Sequence, residues 1–114
     1  MRLPTDCVLL RIFLGEKERC GHSPLYEAIV TKARELGMAG ATVLRGPMGY
    51  GRSGHLQTAK ILDLSDDLPM VIEIIDAADK VDRFVEALAP MMRGGLVTRE
   101  KVQVLQCDGE RVGG

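Results

Sequence analysis

The sequence predicts an α+β domain in which four strands and two helices follow one another in the order β-α-β-β-α-β. Three observations support this prediction. Apolar and β-branched residues concentrate in four short runs, which is typical of buried strands. Two stretches between these runs repeat apolar residues at helical spacing. The 114 residues are enough for one compact domain but not comfortably for two.

The first strand and the first helix lie in the N-terminal third of the chain. Residues 7–15 (CVLLRIFLG) predict the strand, and residues 16–23 predict a charged loop after it. Ser23 is predicted as the N-cap of the helix, Pro24 as its first residue and Gly37 as its C-terminal stop. The apolar stripe of this helix consists of Leu25, Ile29, Ala33 and Leu36.

The middle of the chain contains two strands on either side of a glycine-rich segment. Residues 41–45 (ATVLR) predict the second strand, and residues 70–76 (MVIEIID) predict the third. The glycine-rich segment, residues 46–55, directly follows the second strand. Beyond it, residues 55–64 favour an extended conformation, and residues 65–69 (SDDLP) predict a turn.

The second helix and the last strand complete the order of elements. Asp76 is predicted as the N-cap of this helix, with Asp79 in its first turn near the positive end of the helix dipole. Its buried stripe consists of Val81, Phe84, Val85 and Leu88. Residues 93–100 predict a loop, residues 101–106 (KVQVLQ) the fourth strand and residues 107–114 a frayed tail.

This order is that of the ferredoxin-like fold, the split βαβ arrangement. Right-handed crossovers then place both helices on one face of a four-stranded antiparallel sheet. We expect one domain over residues 1–114, with a folded core of about residues 7–106 and a flexible C-terminal tail over residues 107–114.

The composition excludes several classes of function. The net charge is −1, only 4% of the residues are aromatic and Trp is absent, so we expect no nucleic-acid partner. Direct membrane insertion is not expected, because no apolar run approaches the ~20 residues that span a bilayer. The N-terminus MRLPTDC is no signal peptide, so we expect a cytoplasmic location.

Three loops are expected to meet at one end of the sheet, because the first two strands run in the same direction. These loops cover residues 15–23, 46–55 and 93–98 and are rich in glycine and arginine. Glycine lets backbone N–H groups approach an anion closely, and arginine supplies paired donors. The sequence therefore predicts an anion site there. The basic residues in and beside these loops are Arg45, Arg52, His55, Arg93 and Arg99.

Residues 49–54 (GYGRSG) match the pattern G-x-G-x-x-G. A dinucleotide fingerprint needs a helix directly after the glycines, and residues 55–64 show neither a cap signal nor a clear helical stripe. A P-loop would need a Gly-Lys-Ser/Thr sequence, which does not follow. Two interpretations stay open: the mobile half of an anion site, or a plain hairpin loop.

The face of the sheet that points away from the helices is predicted to be more apolar than a solvated face. Leu9, Arg11 and Phe13 lie on it from the first strand, and the third strand adds Val71, Glu73 and Ile75. Another copy of the chain is the simplest cover for such a face. Arg11 and Glu73 either pair there or remain two solvated charges.

Four stretches together resemble the PII-like proteins of the domain of unknown function 190 family. They are LRIFLGE, PLYEAIVTKARELGMAGATVLRGPMGYG, LPMVIEIID and GGLVT, and the resemblance extends over about residues 7–106. More distantly, GYGRSGH and LPMVIEIID are similar to the T-loop region and third strand of the PII nitrogen-regulatory signalling proteins.

The resemblance implies a homotrimer with its sheets inward and with adenine-nucleotide sites between subunits. The residues that it places at these sites are Gly49, Gly51, Arg52, Ser53, Gly94, Gly95 and Thr98. Topology adds Arg45 and His55, which completes the set of candidate ligand-binding residues. Met70 stands where PII proteins have a lysine, which argues against sensing of 2-oxoglutarate.

The leading hypothesis is a sensor that binds a small anionic metabolite between subunits, with a nucleotide as the candidate. Ligand binding would order residues 46–64, which then engage or release a partner. From the resemblance, a membrane transport protein, a transporter or channel, is a candidate partner. No cofactor, metal or catalytic residue is predicted under this hypothesis.

Two alternatives from other classes remain open, together with one question about redox chemistry. A small enzyme would use His55, with other acid/base candidates at His22, Glu16, Asp66 and Asp67. A metal-binding trimer of the copper-tolerance type would use Cys20, His22 and His55. Cys7 and Cys107 are either a redox pair or two independent thiols.

Overall fold

The structure, a computed structural model, describes residues 3–58 and 67–112. Its elements in chain order are β1 (Asp6–Gly15), β2 (Arg19–Cys20), β3 (Ser23–Pro24), α1 (Leu25–Glu35), β4 (Thr42–Arg45), β5 (Met48–Tyr50), β6 (Leu56–Thr58), β7 (Pro69–Asp76), α2 (Ala78–Leu88), a 3₁₀ turn (Ala89–Met91), β8 (Leu96–Gln103), β9 (Gln106–Cys107) and β10 (Glu110–Arg111). The main sheet has the order β4-β7-β1-β8, and every neighbouring pair is antiparallel. The predicted α+β, ferredoxin-like arrangement is confirmed.

The core lies between the two helices and one face of the sheet. Alternate residues of β1 enter it, as predicted: Val8, Leu10, Ile12 and Leu14. They pack against Ile29 of α1 and Phe84 of α2, which are both fully buried. Every second residue of a strand and every third or fourth residue of a helix lies on one face, so these side chains meet in one layer. Among the described residues, no helix is long and apolar enough to cross a membrane.

Both predicted helix N-caps are wrong. The N-cap of α1 is Pro24, because Ser23 pairs with Cys20 in the β2–β3 hairpin. The N-cap of α2 is Ala77, and neither helix has a side-chain cap. Asp76 is instead buried one residue earlier, where its carboxylate accepts hydrogen bonds from Ala77 N at 2.7 Å and Ala39 N at 2.9 Å.

The last strand of the main sheet begins five residues earlier than predicted. Residues 96–100, predicted as loop, belong to β8 and pair with β1 from Phe13 to Leu9. The charged side chains of these residues favoured a loop in the sequence analysis. They are compatible with a strand because β8 lies at the edge of the sheet, where charged side chains are common. Gly95, with φ +81, completes the turn into it.

Part of the predicted frayed tail forms a hairpin. β9 and β10 pair antiparallel across a two-residue turn at Asp108 and Gly109. Both turn residues have positive φ, +52 and +81. An Asp-Gly pair is the usual signal for such a turn, so the sequence contained the information that predicts this hairpin.

The open face of the sheet, which points away from the helices, combines charge with apolar surface. Arg11 Nε donates to Glu73 Oε2 at 2.8 Å, so of the two alternatives left open by the sequence the ion pair is the one that forms, and Arg11 Nη1 donates to Glu100 Oε1 at 2.5 Å. The hydrogen bond to Glu73 is the main reason that the pKa of Arg11 lies above its usual value. Leu44 and Ile75 on the same face are exposed.

Candidate functional site

A cleft of about 950 Å³ opens at one end of the main sheet. The three predicted segments form it: the end of β1 with the turn after it, the hairpin of β5 and β6, and residues 92–96 before and at the start of β8. Seven of the nine predicted site residues line this cleft: Gly49, Gly51, Arg52, Ser53, His55, Gly94 and Gly95.

The other two predicted residues lie elsewhere. Arg45 ends β4 and donates to Glu16 Oε1 through Nε at 3.2 Å and Nη2 at 3.0 Å. Thr98 lies within β8, opposite Arg11, because the strand begins before it. Neither residue lines the cleft that the described residues form.

The β5–β6 hairpin carries most of the predicted residues. Tyr50 pairs with Leu56 and Gly49 with Gln57, so residues 51–55 form its tip. There Gly54 N donates to Gly51 O at 2.9 Å, and Gly54 takes φ +75, a conformation that favours glycine. Residues 48–58 therefore form a hairpin, as both interpretations allow, and this hairpin forms one wall of the cleft.

Pro69 holds the base of this hairpin against the main sheet. Gly46 N donates to Pro69 O at 2.8 Å. A Cβ atom at Gly46 would lie 3.0 Å from Pro69 Cγ, and one at Gly49 would lie 3.2 Å from it. Close packing against a rigid ring thus explains these two glycines without any ligand.

Gly95 fixes the wall opposite the hairpin. A Cβ atom there would clash with Phe13 O and would lie 3.1 Å from Met92 Cε. Because φ is also +81, only glycine fits without a shift of the backbone. This contact holds residues 92–96 close to the end of β1, where they line the cleft.

The lining of the cleft divides into an apolar part and a charged part. Apolar side chains come from the ends of the central strands and from the 3₁₀ turn region: Phe13, Met70, Val71 and Met92. Arg52 and Arg93 contribute positive charge from opposite walls. Such a surface can receive a flat apolar group and an attached anion.

Sequence reasoning named Asp67 only as an acid/base candidate and missed the polar group that Asp67 forms at this cleft with Glu18 and Gln57. The three side chains surround Gly15: a Cβ atom at this glycine would lie 3.0 Å from Gln57 Nε2, 3.2 Å from Asp67 Oδ1 and 3.6 Å from Glu18 Oε2. They come from three separate segments, so no spacing in the sequence indicates that they meet.

Two of these residues are held by the backbone of the turn after β1. Gly15 N donates to Glu18 Oε2 at 2.5 Å, and Lys17 N donates to Asp67 Oδ1 at 3.0 Å. Each carboxylate therefore has a defined position at the rim of the cleft.

The metal alternative finds no support among the residues that the structure describes. Cys20 and His22 lie in and beside the small β2–β3 hairpin, and His55 lines the cleft. Within residues 3–58 and 67–112, no three His, Cys, Asp or Glu side chains are placed to hold a metal ion. Of the acid/base candidates, Asp66 lies outside the described residues.

Cys7 is buried, and its Sγ lies 3.1 Å from Pro4 O. Burial is the main reason that the pKa of its thiol is raised, and the charges of Asp76 and Asp6 and the thiol of Cys107 add to the shift. A raised pKa lowers the fraction of reactive thiolate at neutral pH. This environment favours an unreactive thiol at Cys7.

Comparison with solved structures identifies the fold as PII-like. CPII from Thiomonas intermedia K12, bound to ADP and bicarbonate, matches with a TM-score of 0.65 and 20% identity over 87% of this chain and 88% of that chain. A Thermus thermophilus protein described as a PII-like signaling protein matches with a TM-score of 0.64 and 18% identity, over 91% of this chain and 93% of that chain. At these identities the likeness establishes the fold alone.

Sequence comparison identifies the family. A UPF0166 protein of Aquifex aeolicus (strain VF5) is 40% identical over 97 residues, which are 85% of this chain and 91% of that protein. A UPF0166 protein of Methanocaldococcus jannaschii is 31% identical over 90 residues, 78% of this chain and 82% of that protein. The model of the family DUF190, described as "Uncharacterized ACR", matches residues 7–104. The chain therefore belongs to the DUF190 family.

Proposed function

We propose that the protein is a PII-like sensor, not an enzyme, which binds a small anionic metabolite, an adenine nucleotide, in the cleft at the end of its sheet. One observation carries this proposal: the cleft brings seven residues predicted from the sequence together with Arg93 and the apolar side chains of Phe13, Val71 and Met92. The CPII structures, named as bound to ADP and bicarbonate, make a nucleotide the first ligand to test.

Arg52 and the glycines of the two walls are the proposed anion-binding part of the cleft. Gly51, Gly94 and Arg93 lie at its rim. Backbone N–H groups at glycines can approach a phosphate, and arginine donates to it through two parallel hydrogen bonds. Ser53 and His55 lie beside Arg52 and add further polar groups.

The working form in this proposal is a homotrimer whose open sheet faces point inward. Apolar side chains and the ion pairs of Arg11 lie on that face, which a neighbouring copy would cover. The cleft lies at the end of the same sheet, so a neighbouring copy would lie beside it. Thr98, exposed on β8, would belong to that contact.

Ligand binding would favour one conformation of the hairpin over another, and a partner would recognise that conformation. Arg52, Ser53 and His55 lie at the tip of the hairpin, beyond its last paired residues, so an anion bound there would contact this tip. We propose that the protein acts in the cytoplasm on a membrane transport protein.

The test is calorimetric titration of the purified protein with ADP, AMP and ATP, in the presence and absence of bicarbonate. Because a charge-assisted hydrogen bond contributes about 1.5–3 kcal/mol, Arg52→Ala should weaken binding about tenfold or more. Arg34→Ala, an exposed arginine on α1, is the matched control and should leave affinity unchanged.

Either of two results would overturn the proposal. One is the absence of heat with every nucleotide at millimolar concentration. The other is equal affinity of the wild-type protein and Arg52→Ala, which would move the ligand out of this cleft.

A further inference from the structure

The cleft is not a simple anion site, because it contains two carboxylates as well as two arginines. Glu18 and Asp67 line it together with the amide of Gln57, on the side formed by the turn after β1. Glu18 also approaches the opposite wall, since a Cβ atom at Gly94 would lie 3.9 Å from its Oε1. A bare phosphate entering this cleft would meet repulsion as well as attraction.

Carboxylates at a binding site are acceptors, so they recognise groups that donate hydrogen bonds. Glu18 uses Oε2 for Gly15 N, and Asp67 uses Oδ1 for Lys17 N. These backbone contacts fix the side chains, and each leaves a second oxygen that can accept from a ligand. Gln57, whose Nε2 lies at the same glycine, adds a donor and an acceptor.

We propose that Glu18, Asp67 and Gln57 recognise the neutral hydrogen-bond donors of a nucleoside, an inference that rests on the proposed function. The cleft would then select a nucleoside phosphate over inorganic phosphate or pyrophosphate. The arginines hold the phosphates, the apolar side chains of the cleft receive the base, and the two carboxylates accept from ribose hydroxyls or from the amino group of the base.

The experiment measures the affinities of ADP and pyrophosphate for the wild-type protein, Glu18→Gln and Asp67→Asn. The amide side chains of Glu18→Gln and Asp67→Asn keep an oxygen that accepts from Gly15 N or Lys17 N, but they carry no negative charge. A hydrogen bond to a charged group is stronger than a neutral one by about 1 kcal/mol. In each variant the ratio of ADP affinity to pyrophosphate affinity should therefore fall about fivefold or more. Pyrophosphate should bind unchanged or more tightly, because one repulsive charge is gone.

This pattern distinguishes a loss of nucleoside recognition from structural damage, because structural damage would weaken the binding of ADP and of pyrophosphate together. Glu86→Gln, an exposed glutamate on α2, is the control and should keep the wild-type preference. Circular dichroism checks that each variant folds, and if one does not, the other carries the test. Titrations with 2′,3′-dideoxy-ADP and with IDP then identify the donor as hydroxyl or amino group.

The outcomes distinguish this inference from the proposed function. If the wild-type protein binds neither nucleotide nor pyrophosphate, the proposed function fails and this inference fails with it. If ADP binds but both variants keep the full preference over pyrophosphate, the inference is overturned and the sensor proposal stands. Equal binding of ADP and pyrophosphate by the wild-type protein also overturns it.

Discussion

Among the glycines that the structure describes, Gly95 is the one at which an added Cβ atom would make the closest clash. Its positive φ and the clash of a Cβ atom with Phe13 O leave no room for a side chain. We predict that Gly95→Ala lowers the free energy of unfolding by at least about 2 kcal/mol, because it adds both backbone strain and overpacking. Urea denaturation measures this loss.

The neighbouring glycine is the control for this prediction. A Cβ atom at Gly94 meets nothing closer than Glu18 Oε1 at 3.9 Å. Gly94→Ala should therefore change stability by less than about 0.5 kcal/mol. Equal losses in the two variants would show that the close contact at Gly95 does not determine the stability of this turn.

Individual site residues differ in how far the sequence predicts them. Gly49, Gly51, Arg52 and His55 lie within one short segment, which the family resemblance and the predicted topology together were enough to single out. Glu18 and Asp67 are far apart in the chain, and each alone is typical of a solvated loop. Only the fold places both beside Gly15.

At the scale of elements, Asp76 connects the start of α2 to the loop between α1 and β4. It is 1% exposed and accepts from Ala39 N and Ala77 N. We predict that Asp76→Ala destabilises the fold by about 2–4 kcal/mol, because it leaves two backbone N–H groups without these bonds. Thermal and urea unfolding measure the loss.

Asp79, in the first turn of the same helix, is the matched comparison. Its carboxylate is exposed and pairs with Arg83 at 3.3 Å. Asp79→Ala removes a favourable charge near the helix N-terminus but no buried contact, so we expect a loss of about 1 kcal/mol or less. If Asp76→Ala cost no more than Asp79→Ala, the proposed tie between the two segments would be wrong.

The start of β8 shows why a prediction from local sequence can miss part of a strand. Its residues 96–100 carry two charges and alternate only weakly, so the sequence favoured a loop. Pairing along β1 supplies the backbone hydrogen bonds that the local pattern does not predict. In contrast, apolar and β-branched residues dominate β1 and β7, and both strands were predicted to within one residue at either end.

At the scale of the whole molecule, the open face of the sheet is the surface through which we propose that three copies associate. Leu44 is 49% exposed on β4 and lies opposite Val71. If three copies bury this face, Leu44→Lys places a charge inside the interface and should shift the protein from trimer to monomer. Size-exclusion chromatography with light scattering measures the mass.

Leu36 is the control for this prediction, since it is 45% exposed at the end of α1, away from the open face. Leu36→Lys should leave the mass unchanged. A wild-type protein that is monomeric at micromolar concentration would contradict the proposed trimer.

The sequence by itself determined the order of the four main strands and two helices and the side of β1 that enters the core. These features depend on short-range periodicity, which records how each segment is buried. Only the tertiary structure decided where β8 begins, what Asp76 contacts and which polar side chains surround Gly15. These depend on contacts between residues far apart in the chain, and no local pattern specifies such contacts before the chain has folded.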